Sequence, residues 1–277
     1  KKNMNLAIIR QRERNLNFNV SLENFFHNFE KIDKPSEKIA SLVKSTGIPK
    51  ETVRRKIKKL LNKNFLSKHD ESRSYQLKFL PKVKDAYVDH INRQVQILAR
   101  FIAKLTNFYN LNLSVDLIEK EIKSQFSFYW YHFLSCELSW LKMWQEKLKD
   151  SDLILIIIQA TVPTLKYAQK NLRNTNLNNI FRIIRQADKS NFINSSIGAS
   201  SVSDVTGIPR ATCIRKLKKL VKLGFLIRDP KSKRYYINQD IEKRTENVIT
   251  QDTVNNTIEI FSNFLAIVIN SLMLNQK

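Results

Sequence analysis

The chain has 277 residues with 48 basic and 25 acidic side chains, a formal charge of +23 that suits a polyanionic partner better than an acidic small molecule. Its two cysteines, Cys136 and Cys213, lie far apart, which excludes a disulfide framework and fits a reducing compartment. Four glycines leave no room for a glycine-rich phosphate loop.

Residues 1–34 read as an N-terminal helical segment, with Leu6, Ile9, Leu16, Leu22, Phe25 and Phe26 as scattered apolar positions around a basic patch at Arg10–Arg14. Pro35 breaks that helix and Ser36 is able to cap the next. Residues 35–80 then form a unit. Glu37–Ser45 predicts a short helix burying Ile39, Leu42 and Val43, and Gly47 suits the left-handed backbone that stops it. Pro49 fits the first turn of a second helix. That helix is expected to bury Val53, Ile57, Leu60 and Leu61 and to expose Lys50, Glu51, Arg54, Arg55 and Lys58. Asn64 tolerates the conformation that ends it. The following stretch, FLSKHDESRSYQLKFL, reads as a two-stranded hairpin carrying Lys68 and Arg73.

The stretch Thr46–Leu66, TGIPKETVRRKIKKLLNKNFL, returns 160 positions later as Thr206–Leu226, TGIPRATCIRKLKKLVKLGFL. Carried on to Lys78 and Asn238, the ungapped match holds 14 identities in 33 positions, the mark of an internal duplication. Residues 196–239 are thus a second copy, with Arg210, Ile214, Arg215 and Lys218 on the outer face of its second helix. Its hairpin carries Arg228, Lys231, Lys233 and Arg234, and Asp229-Pro230 supplies the turn. Residues 36–78 hold 12 basic and 4 acidic side chains, and 197–238 hold 10 and 2. The charge is therefore clustered, not a uniform coat.

A long helix follows each copy, in 81–111 and 240–277. Ile91, Val95, Leu98, Ile102, Leu105 and Tyr109 alternate spacings of four and three, as do Val254, Ile258, Phe261, Leu265, Val268 and Leu272. Between the copies, 112–195 is a helical connector rich in aromatics from Phe126 to Trp144. Asp150-Ser151-Asp152 caps a further helix through Leu155, Ile158 and Val162, which Pro163 bends. Leu6–Ile9 pairs weakly with Leu155–Ile158. Asn171–Asn179 and Asp188–Ser196 read as exposed loops.

Helix, glycine turn, helix and basic hairpin, with Gly-Ile-Pro-x-x-Thr-x-x-Arg-Lys at its centre, resembles the winged helix-turn-helix modules of bacterial regulators such as the MarR and IclR families. The resemblance covers about 85 residues in the two copies. It implies a mainly α fold of two tandem winged modules, α+β in themselves, joined by long helices. Dimeric regulators of these families join subunits through a helix beside the module. The resemblance therefore implies that helices 85–109 and 242–275 pack on each other as an internal pseudo-twofold pair within one chain.

A helix fits the major groove of B-DNA, where base edges are read. Arg54 and Arg55 suit guanine O6 and N7, and Glu51 can accept from cytosine N4. In the repeat, Ala211 and Ile214 replace Glu51 and Arg54, and an apolar side chain there suits a thymine methyl. The two copies are thus expected to read different half-sites. Basic side chains on the hairpins suit phosphates or a narrow minor groove; the alternative is a solvated hairpin. Lys56, Lys59, Lys216 and Lys219 either meet phosphates or face water. His132 and Cys136, four apart, could share a metal, but with no further ligands they read as a core pair. The aromatic helix reads as core in preference to an effector pocket.

The expectation is a sequence-specific, double-stranded DNA-binding transcriptional regulator, not an enzyme, without cofactor or metal. It would be cytoplasmic and nucleoid-associated, since no signal peptide is visible and the most apolar run, Leu153–Ile158, is too short to span a membrane. A homodimer and a small-molecule effector stay open. The alternatives are a replication initiator, a nucleoid-organising protein and, in another class, a winged-helix protein–protein scaffold.

Overall fold

The computed structural model describes residues 8, 20–29, 36–78, 81–171, 196–238 and 251–274. Among them helices dominate, and the strands form two small antiparallel hairpins. The expectations on Leu6, Ile9, Leu16, Arg10–Arg14, Pro35, residues 172–179 and 188–195 of the two long loops and residues 242–250 lie outside the described residues; Ser196, expected in an exposed loop, is buried. The chain divides into two units: Lys1–Met143 with Asn255–Lys277, and Trp144–Val254.

In the first unit, α1 (Leu22–His27) is capped by Ser21, whose hydroxyl accepts the Asn24 N–H. The first module follows: α2 (Ile39–Thr46), α3 (Lys50–Asn62), β1 (Leu66–His69) and β2 (Ser74–Leu77). Helix α2 starts later than Glu37, because Glu37 is extended and exchanges two 2.9 Å backbone hydrogen bonds with Tyr75 of β2. Then come α4 (Pro81–Phe108), α5 (Val115–Ser124) and α6 (Phe126–Leu148). The long C-terminal helix, named α10 below, spans Gln251–Leu274.

The core of this unit joins Phe25, Phe26 and Phe29 to Ile91, Val95 and Ile102 of α4, Ile118 and Ile122 of α5, and Phe126, Tyr129 and Trp130 of α6. Ile8 is buried in the same cluster. Buried Ser127 ties the entry of α1 down: its hydroxyl accepts the Val20 N–H at 2.9 Å and its own N–H donates to Val20 O at 3.0 Å. The principal partner of α4 is α5. The C-terminal helix lies along the aromatic helix α6. Phe133 meets Phe264 edge-on at 5.9 Å, the Tyr129 hydroxyl donates to Ser271 Oγ at 3.1 Å, and Cys136 donates to Ile260 O.

The two predicted seams are buried in part only. Ile91, Val95, Ile102, Val268 and Leu272 are buried, but Tyr109, Ile258 and Phe261 are exposed. Asn255–Leu274 is long and apolar enough to cross a membrane by length and composition, which the Leu153–Ile158 run is not. Its Phe264, Val268 and Leu272 belong to the core of this unit.

In the second unit, α7 (Ser151–Asn171) runs through Pro163, and the second module comprises α8 (Ala199–Thr206), α9 (Arg210–Lys222), β3 (Leu226–Arg228) and β4 (Tyr235–Ile237). Helix α7 packs on α8, α9 and β4. Its buried Leu153, Ile156 and Ala160 supply the wall against which this module closes. Among the described residues, no helix lines the first module as α7 lines the second.

Candidate nucleic-acid interface

The two modules repeat one backbone design bond for bond. Gly47 and Gly207 both stand at φ near the left-handed minimum, 66° and 67°, where a side chain would be strained. Thr46 and Thr206 hydroxyls each donate at 2.6 Å to the carbonyl four residues back and accept the N–H of Ile48 and Ile208 at 3.3 Å. Pro49 and Pro209 then cap α3 and α9 from just outside the first turn. These bonds fix the turn, and the turn fixes which face of the second helix looks outward.

The far ends match as well. Asn64 and Gly224 both have positive φ, 57° and 74°, and Phe65 and Phe225 donate to the Leu60 and Leu220 carbonyls at 2.9 Å. Leu66 pairs with Leu77 as Leu226 pairs with Ile237. At each hairpin tip a basic residue holds a left-handed backbone, Arg73 at 48° and Lys233 at 59°. A non-glycine residue there costs about 1 kcal/mol.

Burial, in contrast, differs sharply. The first module buries two apolar side chains, Val53 and Ile57, whereas ten are buried in the second, among them Val202, Leu217, Leu220, Phe225 and Tyr235. Leu60, expected inside, is 40% exposed, while its counterpart Leu220 is fully buried. The cause is α7, which covers that side of the second module.

Of the side chains singled out for DNA contact, Lys50, Glu51, Arg54, Arg55 and Lys58 are all exposed on α3. On α9, Arg210, Arg215 and Lys218 are exposed and Ile214 is half-buried. Arg54 is paired with Glu51 at 2.6 Å, and Lys68 with Asp70 at 2.5 Å. Exposed pairs of this kind are worth under about 1 kcal/mol, less than a good base contact, so they open readily. Asp70 lowers the Lys68 side chain's tendency to lose its proton, raising its pKa through their hydrogen bond. Arg210 Nε donates to Ser200 Oγ at 3.1 Å, drawing that guanidinium toward α8.

On the hairpins Arg73, Arg228, Lys231 and Lys233 are exposed. Arg234 is engaged differently. Its Nε and a terminal nitrogen both donate to Ser196 O, at 3.1 and 2.7 Å, which fastens the hairpin to the strand-like entry of the module. Arg234 is exposed like the other hairpin cations, so water competes for these bonds; they tie the hairpin down and leave part of the guanidinium facing solvent. The neighbouring turn is locked by Asp229, which accepts the Ser232 N–H at 2.6 Å; Ser232 hydrogen bonds hold its carboxyl below the usual range.

Lys216, expected to meet phosphate or water, does neither. It is nearly buried and paired with Asp150 and Asp152 at the start of α7. The same Asp150 caps that helix, its carboxylate accepting the Asp152 N–H at 3.2 Å. The sequence signal was present in the Asp-Ser-Asp triplet, but nothing in one dimension joined it to a lysine 66 positions away.

Cys136 and Cys213 are both buried, and burial pushes the Cys136 thiol up to about 11. His132 meets Phe128 edge-on at 4.8 Å and Tyr131 edge-on at 5.0 Å. Among the described residues no group of three or more His, Cys, Asp or Glu is placed to hold a metal. Comparison of the chain with protein-family models, curated proteins and solved structures returned no match.

Proposed function

We propose that the chain binds double-stranded DNA through two winged helix-turn-helix modules and acts as a transcriptional regulator. The observation that carries this reading is that an outward-facing cationic helix recurs, in one local backbone frame, in both halves of a duplicated chain. A protein–protein scaffold has no need for Lys50, Arg54, Arg55 and Lys58 on α3 and Arg215 and Lys218 on α9. Phosphates supply the affinity and base edges the selectivity. The reading also takes in the hairpin tips, where Arg73 and Lys233 keep a costly backbone that glycine or asparagine would hold more cheaply.

The first helix, with Arg54, Arg55 and Glu51, suits a G·C-containing half-site. The second, with Ala211 and Ile214 in the equivalent places, suits thymine methyls. Recovery of bound fragments from sheared genomic DNA, followed by footprinting, tests the reading. Footprints at a few promoters with an asymmetric pair of half-sites are expected. Footprints confined to replication origins, or uniform coverage without sequence preference, would overturn the regulator.

A further inference from the structure

The face of α4 turned away from its core carries a second, different surface. Ile91, Val95, Ala99, Ile102 and Ala103 are buried, whereas Ile97 is 66%, Phe101 52% and Phe108 79% exposed. At 3.6 residues per turn, those three fall with Arg93, Arg100 and Lys104 in one arc of about 100°, opposite the buried stripe. Arg93, Arg100 and Lys104 are exposed too. No acidic residue occurs between Asp89 and Asp116. Ile97 and Phe108 stand about 16 Å apart along the axis, three helical turns.

Exposed Phe and Ile on a rigid core helix signal an interaction surface, because scattered single apolar residues rarely line up at helical spacing. DNA does not explain it: a phosphate backbone offers nothing to cover two phenyl rings. A second copy of this chain packed face to face does not fit either, since it would bring Arg93, Arg100 and Lys104 of both copies together with no carboxylate between Asp89 and Asp116 to meet them. We propose that this face is the docking site for an acidic amphipathic helix of another protein. Its apolar side chains would cover Ile97, Phe101 and Phe108, and its carboxylates would meet Arg93, Arg100 and Lys104. This is the helix-on-helix mode read as anchors at i, i+4 and i+11, with the flanking charges choosing the partner.

The test uses the full chain and two fluorescein-labelled 18-residue helical peptides, each with leucines spaced four and three apart. One carries Glu at the flanking positions and the other carries Lys. Fluorescence anisotropy is expected to give binding of the Glu peptide at least about tenfold tighter than of the Lys peptide. The doubly substituted Phe101→Ala, Phe108→Ala chain should lose about tenfold or more while duplex binding stays unchanged. Reversing Arg100→Glu with Lys104→Glu should switch the preference to the Lys peptide. Because all four side chains are exposed, these variants keep the fold, and circular dichroism checks that. Binding of the Glu peptide that ignores the Phe substitutions would mean capture by the cationic modules and overturn the proposal. So would Phe-dependent binding to phosphatidylglycerol vesicles without peptide binding, or a dimer in sedimentation velocity that the Phe substitutions dissociate.

Discussion

Lys216 on α9 is salt-bridged to Asp150, the residue that caps α7, with Asp152 at 3.6 Å. One nearly buried cation thus ties the candidate DNA-reading helix of the second module to the helix that walls its core. Removing Lys216 leaves two carboxylates poorly solvated and facing each other. Lys216→Ala is therefore expected to lower the stability of this unit by about 2 kcal/mol, below the range for fully buried pairs because both acids keep some water. Lys218→Ala, on nearly the opposite face of α9 and exposed, should leave stability within about 0.5 kcal/mol and weaken duplex binding. Chemical denaturation beside a binding titration checks both; equal effects of the two substitutions on stability would contradict the assignment.

Leu60 and Leu220 occupy equivalent positions but unequal surroundings. Leu220→Ala removes a fully packed side chain and is expected to cost about 3 kcal/mol, with Leu60→Ala under about 1 kcal/mol. Urea unfolding of the two variants reads the difference directly.

This pair also marks how far the sequence carries. The duplication, both helix–turn–helix–hairpin units and the outward cationic faces follow from local signals: Gly47 and Gly207, Pro49 and Pro209, and apolar spacing. Those are short-range constraints that a one-dimensional pattern records. The burial of Leu220 against the exposure of Leu60 depends on α7, which no periodicity within 35–80 or 196–239 reports. Lys216 misled for a related reason, and the tie of Arg234 to Ser196 O was invisible on the same ground. A cation looks the same in sequence whether it meets water, a backbone carbonyl or two aspartates. The exposed arc of Ile97, Phe101 and Phe108 was hidden because the spacing through Ile91, Val95 and Ile102 reports the buried stripe and says nothing of apolar residues on the opposite face.

Asp229 makes the second hairpin pH-sensitive. Ser232 hydrogen bonds lower its native pKa, so the unfolded carboxyl binds a proton more readily than the folded one. Its contribution is complete above the ordinary aspartate value near 3.9 and is lost as pH falls through the lower native value. Protection of the Ser232 and Lys233 amides, taken relative to the unstructured exchange rate at each pH, should fall below about pH 3.9, and Asp229→Ala should show the lowered protection already at neutral pH. Constant protection across that range would contradict the turn lock.

Cys136 and Cys213 report on the two units separately. Both thiols are buried with raised pKa values, burial being the largest cause in each. The thiolate is the reacting species, so neither should react appreciably with a disulfide reagent at neutral pH in the folded chain. In denaturant both become accessible. With Leu220→Ala, Cys213 is expected to react before Cys136, because that substitution loosens its unit alone. Fast labelling of both in the native chain would contradict the packing around Ile260 and Ile208.

The central claim, duplex binding by both cationic helices, is tested most directly by the salt dependence of affinity for a mixed-sequence duplex. Log affinity is expected to fall linearly with log salt, and Lys58→Ala with Lys218→Ala should flatten that slope by about two. A chain with no measurable duplex affinity at low salt, or a slope that the two substitutions leave unchanged, would contradict it.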